Sequence, residues 1–175
     1  FTFVFVGSFD LPTMKPLVER YLGGLPSLHR NETWKDVGIR PPAGIVTKRV
    51  EKGIEPKSQA AIVFTGPFEW NPLNRIVIRA MTDMLEGALR QTLREQLGGT
   101  YSVTVTANTS KIPRQNYSIN IEFGCSPDRT DALVKTVFRE IETLKANGPS
   151  DQQINDAKTL LTREFETNTK QNVYL

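Results

Sequence analysis

Residues 101–125 read YSVTVTANTSKIPRQNYSINIEFGC. In the first half of this stretch Tyr101, Val103, Val105 and Ala107 alternate with Ser102, Thr104 and Thr106. In the second half Tyr117, Ile119, Ile121 and Phe123 alternate with Ser118, Asn120 and Glu122. A strict period of two places one set on an apolar face and the other on a polar face, so both runs read as antiparallel strands of a sheet buried on one side. Between them Lys111 and Arg114 sit in a short loop with Pro113, a solvated hairpin tip.

The segment before the hairpin has a different period. Asn71 suits a helix N-cap and Pro72 the first helical position. Val77, Ala80, Met81, Met84, Leu85, Ala88 and Leu89 then form a stripe at helical spacing, which Leu93 and Leu97 extend. This predicts one long helix over about Asn71 to Leu97, packed on the apolar face of the sheet and ended by Gly98 and Gly99. Further strands are expected over Phe1–Gly7 (FTFVFVG), about Ile45–Lys52 and Gln59–Thr65. A helix over Leu11–Leu22 carries Met14, Leu17, Val18, Tyr21 and Leu22 on one face and stops at Gly23 and Gly24, glycine taking the left-handed conformation cheaply. Residues 25–44, with Pro26, Gly38, Pro41 and Pro42, read as a connector. After the hairpin, Ser126-Pro127 opens a helix with Leu133, Val134, Val137, Phe138, Ile141 and Leu144 inside, and Asn147-Gly148-Pro149 stops it. Ser150 and Gln153 form a capping box for a last helix whose inner face is Ile154, Ala157, Leu160, Leu161 and Phe165. The sum is an α+β fold: a largely antiparallel sheet with helices packed on one face, a single domain over residues 1–175. Its polar strand face meets solvent or lines a cavity formed with other domains.

Composition narrows the function by exclusion. Twenty-two Lys and Arg against nineteen Asp and Glu give a net charge of +3, and the basic residues are scattered. Nucleic-acid binders concentrate such charge on one face, so no nucleic-acid partner is expected. No apolar stretch is long enough for a membrane span, so no membrane insertion is expected. The one cysteine, Cys125, ends a strand pattern and reads as a buried structural thiol; the one histidine, His29, lies in a polar loop with no neighbour to share a metal. There is no H-x-x-E-H, no H-E-x-x-H, no phosphate-binding loop and no dinucleotide fingerprint. The chain opens at Phe1 inside an apolar run and closes on Val173, Tyr174 and Leu175, as a piece cut from a longer polypeptide would. Composition and periodicity alone describe a globular α+β domain and no chemistry.

Three stretches carry a resemblance. The opening FTFVFVGSFDLPTMKPLVERYLGGLPS (1–27) contains a strand ending Val6-Gly7-x-Phe9 and a helix closing on Tyr21, Leu22, Gly23, Leu25 and Pro26. LREQLGGTYSV (93–103) follows the pattern Leu-Arg-Glu-x-x-Gly-x-x-Tyr-Ser-Val at Leu93, Arg94, Glu95, Gly98, Tyr101, Ser102 and Val103. The tail combines NGPSDQQINDAKTLL with REFETNTKQNVYL. In this order the chain resembles the final, metal-free domain of the pitrilysin/insulinase-type zinc metallopeptidases, the inverzincins. It looks most like the bacterial members with four such domains in one chain.

The resemblance implies a domain of the metallopeptidase kind shared with mitochondrial processing peptidase. It implies a C-terminal fragment of a multi-domain endopeptidase that cleaves peptides in a chamber between two homologous halves. Zinc, its ligands and the general base belong to the other half, so no catalytic and no metal-binding residue is expected here. Arg94 and Tyr101 match the family's Arg and Tyr that reach the substrate across the chamber. Without the resemblance, Arg94 is a cation favoured at a helix C-terminus and Tyr101 an ordinary core residue. The partners implied are a peptide substrate and the zinc-bearing half of the same protein, in a bacterial periplasm or cell envelope. Two alternatives stay open: a catalytically inactive assembly subunit of the same family, and an unrelated α+β binding module.

Overall fold

A computed structural model describes residues 2–27, 29–97 and 102–171, with the side chains of residues 94–97 outside the description. The chain forms two compact units, one of Phe1–Trp34 with Leu161–Leu175 and one of Lys35–Leu160.

In the smaller unit, helix α1 spans Leu11–Tyr21. Asp10 caps it, its Oδ2 accepting from the Thr13 N–H at 3.0 Å and from the Thr13 hydroxyl at 2.8 Å. The helix ends where the N–H groups of Leu22 and Gly23 both donate to the Val18 carbonyl, at 2.8 and 3.0 Å. Gly23 is needed there for room: a Cβ would stand 2.6 Å from the Glu19 carbonyl oxygen. Gly23 is absent from the glycines with positive φ, so close approach explains this glycine and left-handed freedom does not. An apolar cleft of about 940 Å³ lies beside α1, lined in part by Phe3, Phe5, Phe9, Leu11, Val18 and Leu22.

The larger unit holds the sheet. Strand β1 spans Ser58–Pro67, β2 Val103–Ser110 and β3 Asn116–Cys125. They pair antiparallel in the order β1-β3-β2, so the last strand is central. The registers align Ala60, Phe123 and Val103; Ile62, Ile121 and Val105; and Phe64, Ile119 and Ala107 in rows across one face. Helix α2, Pro72–Leu97, covers that face. Asn71 Oδ1 accepts from the Asn74 N–H at 2.7 Å, as the cap expectation requires. Residues Ile78, Thr82, Leu85, Leu89 and Leu93 form the buried stripe of α2, at steps of three and four. Helix α3, Thr130–Asn147, follows a single 3-10 turn at Pro127–Arg129 and adds Leu133 and Val137, both fully buried. Gly148 closes α3 at φ +69, a conformation that favours glycine, with its N–H on the Leu144 carbonyl at 2.9 Å. Helix α4, Asp151–Asn168, runs from the larger unit into the smaller. Its capping box forms as read: the Ser150 N–H donates to Gln153 Oε1 at 2.8 Å and the Gln153 N–H to Ser150 Oγ at 3.3 Å.

The α+β architecture thus stands, with a sheet of three strands among the described residues. Residues 2–7 and 45–52, expected as strands, have no regular structure. A strand exists only through its backbone partners, and apolar or alternating composition does not supply one. Among the described residues neither segment joins a ladder, and Ile45 is 99% exposed. Val77, expected in the core, is 55% exposed, and its neighbour Ile78 is buried in its place. The apolar surface of α2 is wider than the sheet can cover, and the stripe through Leu85 and Leu89 wins. Cys125 is a buried free thiol, 3.4 Å from Thr130 Oγ1, as expected of a structural cysteine. His29 is exposed.

Candidate substrate-binding site

The resemblance puts the substrate-binding residues where α2 ends and β2 begins. Leu93 in the last part of α2 and Val103 at the start of β2 are both buried in one core, with Leu89 and Val105 beside them. A hydrogen bond fixes the two elements: Glu86 Oε2 accepts from the Val105 N–H at 2.9 Å. Glu86 also pairs with Arg90 one turn on, so both carboxylate oxygens are engaged. Of the two predicted residues, Arg94 lies on the final turns of α2 with its side chain outside the description, and Tyr101 lies outside the described residues. The structure brings the last part of α2 and the start of β2 into one core, and Tyr101 belongs to neither described element.

Beside this junction lies the open face of the sheet, opposite the helices. Its rows follow from the registers: Ala61, Glu122 and Thr104; Val63, Asn120 and Thr106; Thr65, Ser118 and Asn108. It is a face of hydroxyl, amide and small side chains, with the Glu122 carboxylate and the exposed Val63 among them. At one end the hairpin tip is tied down. The Gln115 carbonyl accepts from the Phe68 N–H at 3.3 Å, and Gln115 Oε1 from the Trp70 N–H at 2.9 Å. Arg75 and Lys111 stand 5.0 and 5.2 Å from the Trp70 ring centroid, within cation–π range.

Strong electrostatic perturbation falls elsewhere. Hydrogen bonds from the Arg40 guanidinium and the Gly38 N–H lower the Asp36 carboxyl to about 2, in the exposed connector. Among the described residues no group of three or more His, Cys, Asp or Glu could hold a metal ion, and no helix is long and apolar enough to cross a membrane. Zinc coordination has no candidate ligand set in the described part of this chain.

Sequence reading missed the Glu86–Val105 bond, because nothing in the local pattern joins residues nineteen apart in the chain. It also passed over Glu122, whose signal was available: a lone charge in a run of uncharged strand residues.

Comparison with known proteins agrees with this architecture. A family model described as the peptidase M16 inactive domain matches residues 1–161. A probable zinc protease, PqqL, from Haemophilus influenzae is 25% identical over 171 residues, covering 95% of this chain and 18% of that protein. The crystal structure of the periplasmic protease PqqL from Escherichia coli superposes with a TM-score of 0.81 at 21% identity, over 96% of this chain and 19% of that one. The ferredoxin protease FusC, in complex with Arabidopsis ferredoxin, gives a TM-score of 0.65 at 18% identity, over 93% of this chain and 18% of that one. The chain spans about a fifth of the length of the relatives it matches.

Proposed function

Because the chain belongs to the peptidase M16 inactive-domain family, we propose that it is the C-terminal, metal-free domain of a zinc-dependent endopeptidase, holding an extended peptide that zinc in another domain of the same protein helps to cleave. The family match over residues 1–161 carries this reading. Inactive here describes one domain of a two-part site, not the whole protein. Zinc held in another domain would polarise the scissile carbonyl and activate water. This domain contributes grip and hydrogen-bond donors. Arg94 and Tyr101 are those donors: guanidinium offers a planar fork and phenol one more, both suited to peptide carbonyls and to an oxygen gaining negative charge. The Glu86–Val105 bond supports the assignment, since it ties the C-terminal half of α2 to the first half of β2. The open sheet face, with its hydroxyl and amide side chains, forms part of the chamber wall. The fold shared with FusC, a ferredoxin protease seen with a ferredoxin, supports a polypeptide as the occupant. The fold shared with periplasmic PqqL supports a bacterial periplasmic or cell-envelope setting.

The test is metal analysis and peptide cleavage on the full-length protein and on residues 1–175 alone. The expected result is stoichiometric zinc and cleavage in the former, both lost on chelation, and neither in the latter. A full-length protein that binds no zinc and cleaves nothing would overturn the peptidase reading in favour of an assembly subunit.

A further inference from the structure

Strands β1, β2 and β3 together carry one charged residue, Glu122. It stands on β3, the central strand, on the exposed polar face. Its cross-strand neighbours are Ala61 on β1 and Thr104 on β2, and the next residues of β3 on that face are Asn120 and Gly124. Ala61, Thr104 and Gly124 are small, so the carboxylate rises from a surface of low relief. Among the described residues no cation forms an ion pair with it, although the chain as a whole carries a net charge of +3.

Glutamate is depleted in strands, and cross-strand pairing is what ordinarily compensates a charge there. Neither Ala61 nor Thr104 can do so. Charged residues on a sheet also serve to block edge-to-edge association, but that role belongs to edge strands, and β3 has a partner on both sides. Exposed and without an ion-pair partner among the described residues, the carboxylate is open to a cation that arrives with a ligand.

We propose that Glu122 is a specificity-determining residue that selects a lysine or arginine side chain in the bound peptide. The proposal rests on the reading of this face as a chamber wall. A peptide lying over the open face places alternate side chains toward it, and one carboxylate in an otherwise uncharged wall sets a single position of charge preference. The wall accepts neutral side chains elsewhere through the threonine, serine and asparagine groups of the neighbouring rows.

The experiment uses the full-length, zinc-loaded protein and a set of neutral peptides in which one position at a time carries Lys, Gln or Glu. In the unaltered protein one position should favour Lys over Glu in kcat/KM, by roughly fivefold at low salt, in line with an exposed charge pair. The preference should shrink as ionic strength rises. Glu122→Gln should flatten the ranking at that position, and Glu122→Lys should invert it, both at unchanged zinc content. Thr106→Trp, on the same face one row away, separates the two readings. If it slows every peptide while Glu122→Gln leaves the ranking intact, the face is a wall and the selectivity proposal is overturned. If neither variant changes cleavage of any peptide, the wall reading fails and the proposal falls with it.

Discussion

The side chain of Glu86 on α2 accepts a hydrogen bond from the backbone of Val105 on β2, at 2.9 Å. Among the described residues β2 is an edge strand, and Val105 opposes Ile121 of β3. An N–H bonded to Glu86 cannot also serve the ladder to β3, so this bond satisfies an outward-facing donor on the sheet edge. It does two things at once. It removes a free donor from an edge that could recruit another strand. It also locks the C-terminal half of α2 to the first half of β2, on either side of the segment that carries Arg94 and Tyr101.

Glu86→Ala should therefore destabilise the protein by about 1–2 kcal/mol, the cost of leaving a donor without its partner. The amide of Val105 should lose its protection in hydrogen exchange while those of Ile121 and Phe123 keep theirs. Chemical denaturation together with residue-resolved exchange measures both. Equal protection at Val105 in the variant and the parent would mean that water or another group replaces the carboxylate without loss.

Gly66 and Tyr117 face each other across β1 and β3 on the buried side of the sheet. A Cβ at position 66 would stand 2.7 Å from Tyr117 Cε1 and 3.2 Å from its Cζ and hydroxyl oxygen. The ring must then move, and it is also packed edge-on against Phe68, with centroids 6.5 Å apart. Gly66→Ala should cost about 1–3 kcal/mol through this overpacking. In a Tyr117→Ala background the same substitution should cost much less, because the atom it meets is gone. A double-mutant cycle by denaturant unfolding gives the coupling, and an additive result would show that the tyrosine ring is not the obstacle.

What the sequence disclosed was local. Asn71 with Pro72, and Ser150 with Gln153, are cap signals between residues a few positions apart, and the side chains of Asn71, Ser150 and Gln153 accept from backbone N–H groups as read. The alternation in residues 103–110 and 116–125 fixed which side chains face inward, since a strand has only two faces. Residues 2–7 and 45–52 could not be settled this way. Their patterns describe strands that would form beside a suitable partner, and the identity of the partner is not written in the segment itself. Val77 shows the same limit on a helix. Apolar residues on α2 cover more than one stripe, and only the position of the sheet decides that Ile78 is buried and Val77 exposed. At the candidate site, motif resemblance named Arg94 and Tyr101, while Glu86 and Glu122 emerged from the register and the tertiary contacts.

The composite-site proposal has its sharpest consequence at Arg94 and Tyr101. If both donate to a peptide carbonyl and to the oxyanion formed as water attacks, each acts in the transition state more than in the ground state. Removal should then lower kcat and not merely raise KM. Losing one oxyanion donor typically costs on the order of a hundredfold or more in turnover. Tyr101→Phe removes one hydroxyl and leaves the ring, so its effect on folding should be small. Arg94→Lys keeps the charge and loses the planar fork, and should recover only part of the activity that Arg94→Ala loses. None of these changes should alter zinc content, because the metal is assigned to another domain. The measurement is steady-state cleavage by the full-length protein, with metal analysis and thermal unfolding alongside. Wild-type kcat in both Arg94→Ala and Tyr101→Phe would return the pair to a helix-end cation and a packing aromatic. A large loss of turnover at unchanged zinc and unchanged melting would leave contact with the reacting peptide as their role.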